Sequence, residues 1–302
     1  MPVTSQASVR VSMPAVAAAL VEGARPRQWI KNLLVLAAPV SAGALDHGGK
    51  VVAALVALVA FCLLSSGTYL LNDVRDAGSD RAHPVKRGRP VASGRLPVPT
   101  AVAAGILLIA AGLGLSAAVG LPLLAAGTGY VALTSAYTLW LRDIEVLDIA
   151  AVSGCFILRA VAGGAATGVS LSHWFLIVTS FSALFVVAGK RASELRARPG
   201  GESSRVALAA YSAGYLRFVW TMAATVAVAA YCVWAFSRGT PRQFPFFELS
   251  VLPFVLGVMR YGLLLDRNHG EVPEEAVISD APLRWIGLAW IAVFVAGAAS
   301  IT

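Results

Sequence analysis

Asn72, Asp73, Asp76 and Asp80 follow directly on a mostly apolar run, 51–71. Spacings of three and four put the three aspartates on one stripe of a helix, and Asn72, Asp76 and Asp80 also share a face. Like charges so placed repel unless a cation lies between them. Carboxylate and amide oxygens suit Mg²⁺, which takes one or two carboxylates and completes its shell with water and phosphate oxygens. Just downstream come Lys86, Arg87, Arg89 and Arg95, with Gly88, Ser93 and Gly94 loosening the backbone. Arginine pairs with phosphate oxygens as a fork and lysine acts as a point charge. A Mg²⁺-bound diphosphate at a membrane surface accounts for both signs of charge together. The competing reading is a solvated helix end whose acids pair with Arg75, Arg81 and Lys86.

The elements that must hold these residues are membrane spans. Of 302 residues, 58% are apolar and 13% charged, about half the charge density of a soluble domain. Segments near the length that crosses a bilayer occur at 32–46, 51–71, 97–118, 121–140, 146–168, 171–189, 218–237, 243–259 and 285–302. The first is interrupted by Pro39 and Gly43. An all-α membrane protein with nine transmembrane helices in a single domain, 1–302, is therefore expected. Residues 1–24 form its interfacial or flexible N-terminus, with Trp29 at headgroup depth.

The net charge is +8, yet the basic residues sort by loop. With the N-terminus inside, twenty Lys/Arg fall on one side and Lys50, Arg238 and Arg242 on the other; Arg159 alone lies within a span. Positive residues stay cytoplasmic, so 72–96 and 190–217 become cytosolic active-site loops of a multi-pass protein of the plasma membrane. The same sorting makes nucleic acid an unneeded partner; the bilayer is the partner that composition demands. Cys62, Cys155 and Cys232 lie in spans without metal-ligand spacing and read as small packers. A transporter would place charge deep in several spans, whereas the acids here gather at one surface.

The pattern N-D-x-x-D-x-x-x-D at a span end, followed by R-P-x-x-x-G at Arg89, Pro90 and Gly94, resembles the first motif of the UbiA-type intramembrane prenyltransferase superfamily. Ordinary members carry a second acidic motif after the sixth span. Here that place reads Gly189-Lys190-Arg191-Ala192-Ser193-Glu194-Leu195, with one acid behind two cations. Together with Arg25-Pro26-Arg27-Gln28-Trp29-Ile30-Lys31-Asn32 and the run from Asp80 to Pro90, it resembles the decaprenyl-phosphate phosphoribosyltransferase branch. The resemblance implies 5-phosphoribosyl 1-diphosphate and decaprenyl phosphate as substrates, release of diphosphate, and a place in arabinan synthesis for the cell wall. It assigns Asp73, Asp76 and Asp80, with Asn72, to Mg²⁺ and catalysis. Lys86, Arg87, Arg89, Lys190, Arg191 and Glu194 go to the sugar donor's phosphates, Glu194 alternatively to metal or a ribose hydroxyl. Lys31, Asn32, Arg159 and Tyr69 go to the lipid phosphate, with a structural ion pair to Asp143 or Asp148 as the other use of Arg159. The rival within the superfamily moves a prenyl group from a prenyl diphosphate to a small aromatic or polar acceptor. A homo-oligomer is compatible with the sequence.

Overall fold

The computed structural model describes residues 13–44, 48–196, 206–238, 244–267 and 273–300, and among these every regular element is helical. Helix α1 (Met13–Ala24) leads into a 3₁₀ helix, Pro26–Leu36, and the short α2 (Ala37–Ser41). The long helices are α3 (Gly48–Ala82), α4 (Val98–Val119), α5 (Leu121–Leu139), α6 (Leu147–Thr167) and α7 (His173–Arg196). After α8 (Val206–Ala210) come α9 (Ala213–Arg238), α10 (Phe246–Asp266), α11 (Pro273–Ser279) and α12 (Ala281–Ala299). Seven of them, α3, α4, α6, α7, α9, α10 and α12, are long and apolar enough to cross a membrane.

Two of the nine expected spans are not among these seven. Segment 121–140 is a helix of adequate length, α5, but Thr128, Tyr130, Thr134, Ser135 and Tyr137 dilute its apolar character. Segment 32–46 is not one helix: Pro26–Leu36 winds as 3₁₀ before α2 takes over, and 45–47 lie outside the described residues. Runs of 3₁₀ beyond one turn are uncommon and need outside support. Asn32 supplies it: the side chain is fully buried, gives hydrogen bonds to Ser65 Oγ (3.1 Å) and Cys62 Sγ (3.3 Å), and accepts one from Arg159 (2.7 Å).

Helix α3 sets the geometry of the functional end. Its 35 residues extend roughly 50 Å at about 1.5 Å per residue, against a hydrocarbon core about 30 Å thick. The apolar part fills the bilayer and the last turns stand clear of it, carrying Asn72 to Asp80. The segment expected as loop 72–96 is therefore helical as far as Ala82. Segment 190–217 likewise begins as helix: Lys190, Arg191 and Glu194 belong to α7, while 197–205 lie outside the described residues.

Where lipid removes the hydrophobic drive between helices, small residues let backbones approach. A methyl group on Gly163 of α6 would stand 1.7 Å from the Val35 carbonyl oxygen of the 3₁₀ segment. On Gly67 of α3 it would meet the Gly105 carbonyl of α4 at 2.6 Å. At the functional end Asp280 caps α12 by accepting from Leu283 N (2.8 Å), and the Arg260 fork of α10 grips the same carboxylate at 3.1 and 2.7 Å.

Gly163→Ala is expected to destabilise the protein by about 3 kcal/mol or more, because backbone rather than a flexible side chain must give way. Gly287→Ala, with open space around the new methyl, serves as the control. Thermal unfolding in detergent reads both; equal midpoints would show that α6 does not rest on the 3₁₀ segment.

Candidate active site

The helical stripe ends in a polar cavity of about 150 Å³, walled by Asn72, Asp73, Asp76, Ser79 and Asp80 of α3. Arg25, His83, Lys86, Arg89, Tyr137, Thr138 and Arg142 complete the wall. Each aspartate is held by arginine. Arg25 donates to Asp73 Oδ1 at 2.5 Å; Arg89 spans Asp73 Oδ1 (3.3 Å) and Asp80 Oδ2 (2.8 Å); Arg142 reaches both oxygens of Asp76 (2.8 and 3.2 Å). The repulsion foreseen on the stripe is thus balanced by three guanidiniums, not those foreseen in the solvated alternative. Arg75 instead donates to Leu139 O and Arg81 to Ala92 O.

The three arginines arrive from different elements. Arg25 sits in the left-handed region (φ 55°, ψ 59°) between α1 and the 3₁₀ segment, a sharp turn that aims its side chain over the Tyr69 ring (5.1 Å) toward Asp73. Trp29 Nε1 donates to Ser66 Oγ (3.0 Å), which donates on to Ala24 O (2.9 Å), pinning both sides of this turn to α3. Arg89 comes from the loop after α3. Arg95 keeps that loop in place by donating to Glu22 Oε2 (2.6 Å) and Oε1 (2.8 Å) of α1 and to Gly88 O (2.7 Å). Gly94 turns the loop at φ +79°. The partnership with Arg95 lowers the pKa of Glu22 below the usual carboxylate range. Arg142 comes from the turn Leu141–Asp143 after α5. Lys86 lines the cavity; Arg87 is exposed and outside its wall.

One atom of the cluster is left over. Asn72 Oδ1 is buried without a hydrogen-bond partner, a costly condition unless a ligand or ion completes it. Beside three carboxylates, this spare carbonyl oxygen suits a hard divalent cation. Among the described residues no three acids already converge on one point, so such an ion requires the arginines to let go.

The cations of α7 behave differently from expectation. Arg191 is only 3% exposed and Asp148 1%. Arg191 gives its donors to Asp148 Oδ2 (2.8 Å), Glu194 Oε2 (2.8 Å) and Tyr137 Oη (3.0 Å). Its charge is spent inside the protein and does not face the cavity. Lys190 approaches Glu194 at 4.0 Å, both partly exposed. Tyr211 donates to Asp148 Oδ1 (2.5 Å); burial and this carboxylate push its phenol well above the usual tyrosine range, so it remains a donor.

Arg159 is 4% exposed and meets neither Asp143 nor Asp148. Its donors go to Asn32 Oδ1 (2.7 Å), Cys155 O (2.9 Å) and Tyr130 Oη (3.0 Å), all neutral. Its guanidinium also lies over the rings of Tyr130 (4.8 Å) and Phe156 (5.4 Å). Phe156 in turn lines an apolar groove of about 630 Å³ between the 3₁₀ segment, α2, α7, α9 and α12. Leu33, Val178, Tyr231, Trp290 and Phe294 are among its walls. Lys31 stands apart, donating to Gln28 (2.5 Å).

The fold thus gathers Asn72, the three aspartates, Lys86 and Arg89, and a ring away Tyr69; it leaves Arg87, Lys31, Lys190, Arg191 and Glu194 outside the cavity wall. Arg25, Arg142 and Tyr137 were missed as members of it. Arg25 and Arg142 count among the cytosolic topology charges, an aromatic near a span end such as Tyr137 is ordinarily interfacial, and only the fixed φ of Pro26 beside Arg25 hinted at a directed turn.

Residues 33–288 match the model of the UbiA prenyltransferase family. The chain is 42% identical over 280 residues to a decaprenyl-phosphate phosphoribosyltransferase of Corynebacterium glutamicum, covering 90% of this chain and 84% of the relative. It is 41% identical over 285 residues to the transferase of the same name from Mycolicibacterium smegmatis, covering 90% of each. Among solved structures, a UbiA homolog from Archaeoglobus fulgidus bound to GPP and Mg²⁺ superposes with a TM-score of 0.71 over 94% of this chain and 99% of that one, at 16% identity. The same homolog bound to Cd²⁺ superposes with a TM-score of 0.68, at 15% identity. Helical architecture, acidic stripe and family match agree: this chain belongs to the UbiA prenyltransferase family.

Proposed function

We propose that this protein transfers 5-phosphoribose from 5-phosphoribosyl 1-diphosphate to decaprenyl phosphate, releasing diphosphate. The observation that carries the reading is a small cavity lined by acids and arginines together, in a fold that also has an apolar groove with the buried cation Arg159 behind its Phe156 wall. Likeness to the named transferases over nine-tenths of the chain supports the same substrates. Synthesis of cell-wall arabinan precursors follows from that substrate pair.

Asp73, Asp76 and Asp80, with Asn72, would hold Mg²⁺, which supplies charge neutralisation and orientation of the leaving diphosphate. Arg25, Arg89 and Arg142 exchange carboxylate for phosphate oxygens as the donor enters, and Lys86 adds a point charge. Because cation and anion arrive together, entry of the multiply charged ligand need not strand a buried charge. Lys190 and Glu194, partly exposed on α7, serve the 5-phosphate and the ribose.

The C1–O bond to diphosphate breaks with its electron pair leaving on the diphosphate. An oxygen of the lipid phosphate forms the new bond to C1 from the opposite face. The acceptor needs no general base, since a phosphate monoester with a second pKa of about 6 is already dianionic at neutral pH. Its tail fits the groove. Its phosphate lies toward Arg159, whose charge has neutral partners and is felt across the Phe156 ring. A buried cation without a counter-carboxylate is costly, and an anionic headgroup relieves that cost. The concentration of Lys/Arg at the cavity end supports a cytoplasmic site in the plasma membrane.

Purified protein with Mg²⁺ and labelled 5-phosphoribosyl diphosphate is expected to yield organic-soluble label only when decaprenyl phosphate is present. Consumption of a prenyl diphosphate with an aromatic acceptor, and no labelled lipid, would replace this reading with ordinary prenyl transfer. Asp73→Asn and Asp76→Asn should each lower kcat by roughly 10²–10³, the scale for removing one preorganised electrostatic contact, in protein whose unfolding midpoint is retained. Wild-type rates at saturating Mg²⁺ would remove the metal role. Arg159→Gln should raise the KM for the lipid about tenfold, near 1.4 kcal/mol, with the donor KM unchanged; a rise in the donor KM alone would reassign Arg159.

A further inference from the structure

The wall of the cavity facing α3 is built by the end of α5 and the turn that follows, and it is supported by residues that never reach the cavity. Tyr137 and Thr138 are the wall residues from α5, and Tyr137 is the one held from behind. Arginine donates and cannot accept, so the Arg191–Tyr137 contact at 3.0 Å must use the phenol oxygen as acceptor. That leaves the Tyr137 proton free to point elsewhere and fixes where the ring stands. Arg191 is itself oriented by Asp148 (2.8 Å), and the other oxygen of Asp148 takes the Tyr211 proton (2.5 Å). Tyr211, between α8 and α9, is buried and absent from the cavity wall.

A second observation converges on Tyr211. Val146, just before α6, has φ 65°, a conformation that a β-branched residue adopts only under constraint from its surroundings. Its N–H donates to Tyr211 Oη at 2.5 Å. One hydroxyl therefore donates to Asp148 and accepts from Val146, joining the start of α6 to the segment before α9. Nothing about charge compensation demands this arrangement, since Arg191 already has two carboxylates.

We propose that Tyr211 is a positioning residue for the transfer, acting through Asp148 and Arg191 on the placement of Tyr137 in the cavity wall. This deepens the proposed function and rests on it for the turnover readout. The residue touches no substrate. Its removal leaves the Arg191 ion pairs in place but lets Asp148, and with it the guanidinium plane, turn.

A double-mutant cycle tests the chain of contacts, using full-length protein in detergent. Wild type, Tyr211→Phe, Tyr137→Phe and the double variant are compared in kcat for phosphoribosyl transfer and in Kd for Mg²⁺ with inorganic diphosphate. Tyr211→Phe is expected to lower kcat roughly 10-fold, the low end of the scale for losing a group that orients an active-site residue. In the Tyr137→Phe background the same change should cost less than half of that factor on a logarithmic scale. A second cycle, Arg191→Lys with Tyr137→Phe, should show the same coupling and stands in if Tyr211→Phe fails to fold. Full independence of the two changes overturns the proposal, as does a lowered unfolding midpoint with unchanged kcat and Kd. Should wild type bind Mg²⁺-diphosphate yet transfer no phosphoribose, the reaction assignment fails while the binding cycle still reports on Tyr211.

Discussion

Three carboxylates on one helical stripe cannot stand near a membrane surface without compensation, and much of the functional end is arranged around that repulsion. The stripe exists because α3 outruns the hydrocarbon core by several turns. Three guanidiniums answer it, and each is delivered by a separate piece of chain: the turn after α1, the loop after α3 and the turn after α5. The features that look incidental along the chain then acquire a purpose. The left-handed backbone at Arg25, the Glu22–Arg95 fork and the glycine turn at Gly94 all place an arginine on an aspartate.

The same compensation is what makes the cavity suitable for a charged sugar diphosphate. A pocket of acids alone would repel phosphate, and a pocket of arginines alone would hold product as firmly as substrate. Interleaved, the two sets can trade partners: acids to a divalent cation, arginines to phosphate oxygens. The orphaned oxygen of Asn72 is the point where this arrangement is incomplete. Away from this stripe the buried charges are held by the fold itself. Arg191 and Asp148 form a closed buried pair, and Arg159 is held by amide, hydroxyl, carbonyl and two ring faces. The first pair locks helices together; the second leaves a positive field beside the apolar groove.

The 3₁₀ segment links these regions. Arg25, which caps its start, belongs to the cavity, Asn32 to the Arg159 network, and Leu33, Leu34 and Leu36 to the groove. Close approach of its Val35 carbonyl to Gly163 leaves no room for a side chain on α6. A regular α-helix would present a different set of residues to each of these neighbours, since its turn holds 3.6 residues instead of three.

Much was determined by sequence alone. Composition pointed to a membrane bundle, because a soluble domain carries about twice this share of charged residues. The spacing of Asp73, Asp76 and Asp80 required a shared stripe, because helical periodicity is local. The run Lys86–Arg89 beside it put both signs of charge within one stretch of chain, which is the basis for expecting a phosphate there. What sequence could not decide is which cation meets which acid. Arg25 and Asp73 are 48 residues apart, Arg142 and Asp76 are 66 apart, and pairing at that range depends on how helices pack. For the same reason Lys190-Arg191 looked like one phosphate-binding unit. Successive helical residues point about 100° apart, and tertiary packing turned Arg191 inward to Asp148 while Lys190 stayed at the surface. Local spacing speaks for residues on one helix; the partners of a charge are chosen by the neighbours that fold against it.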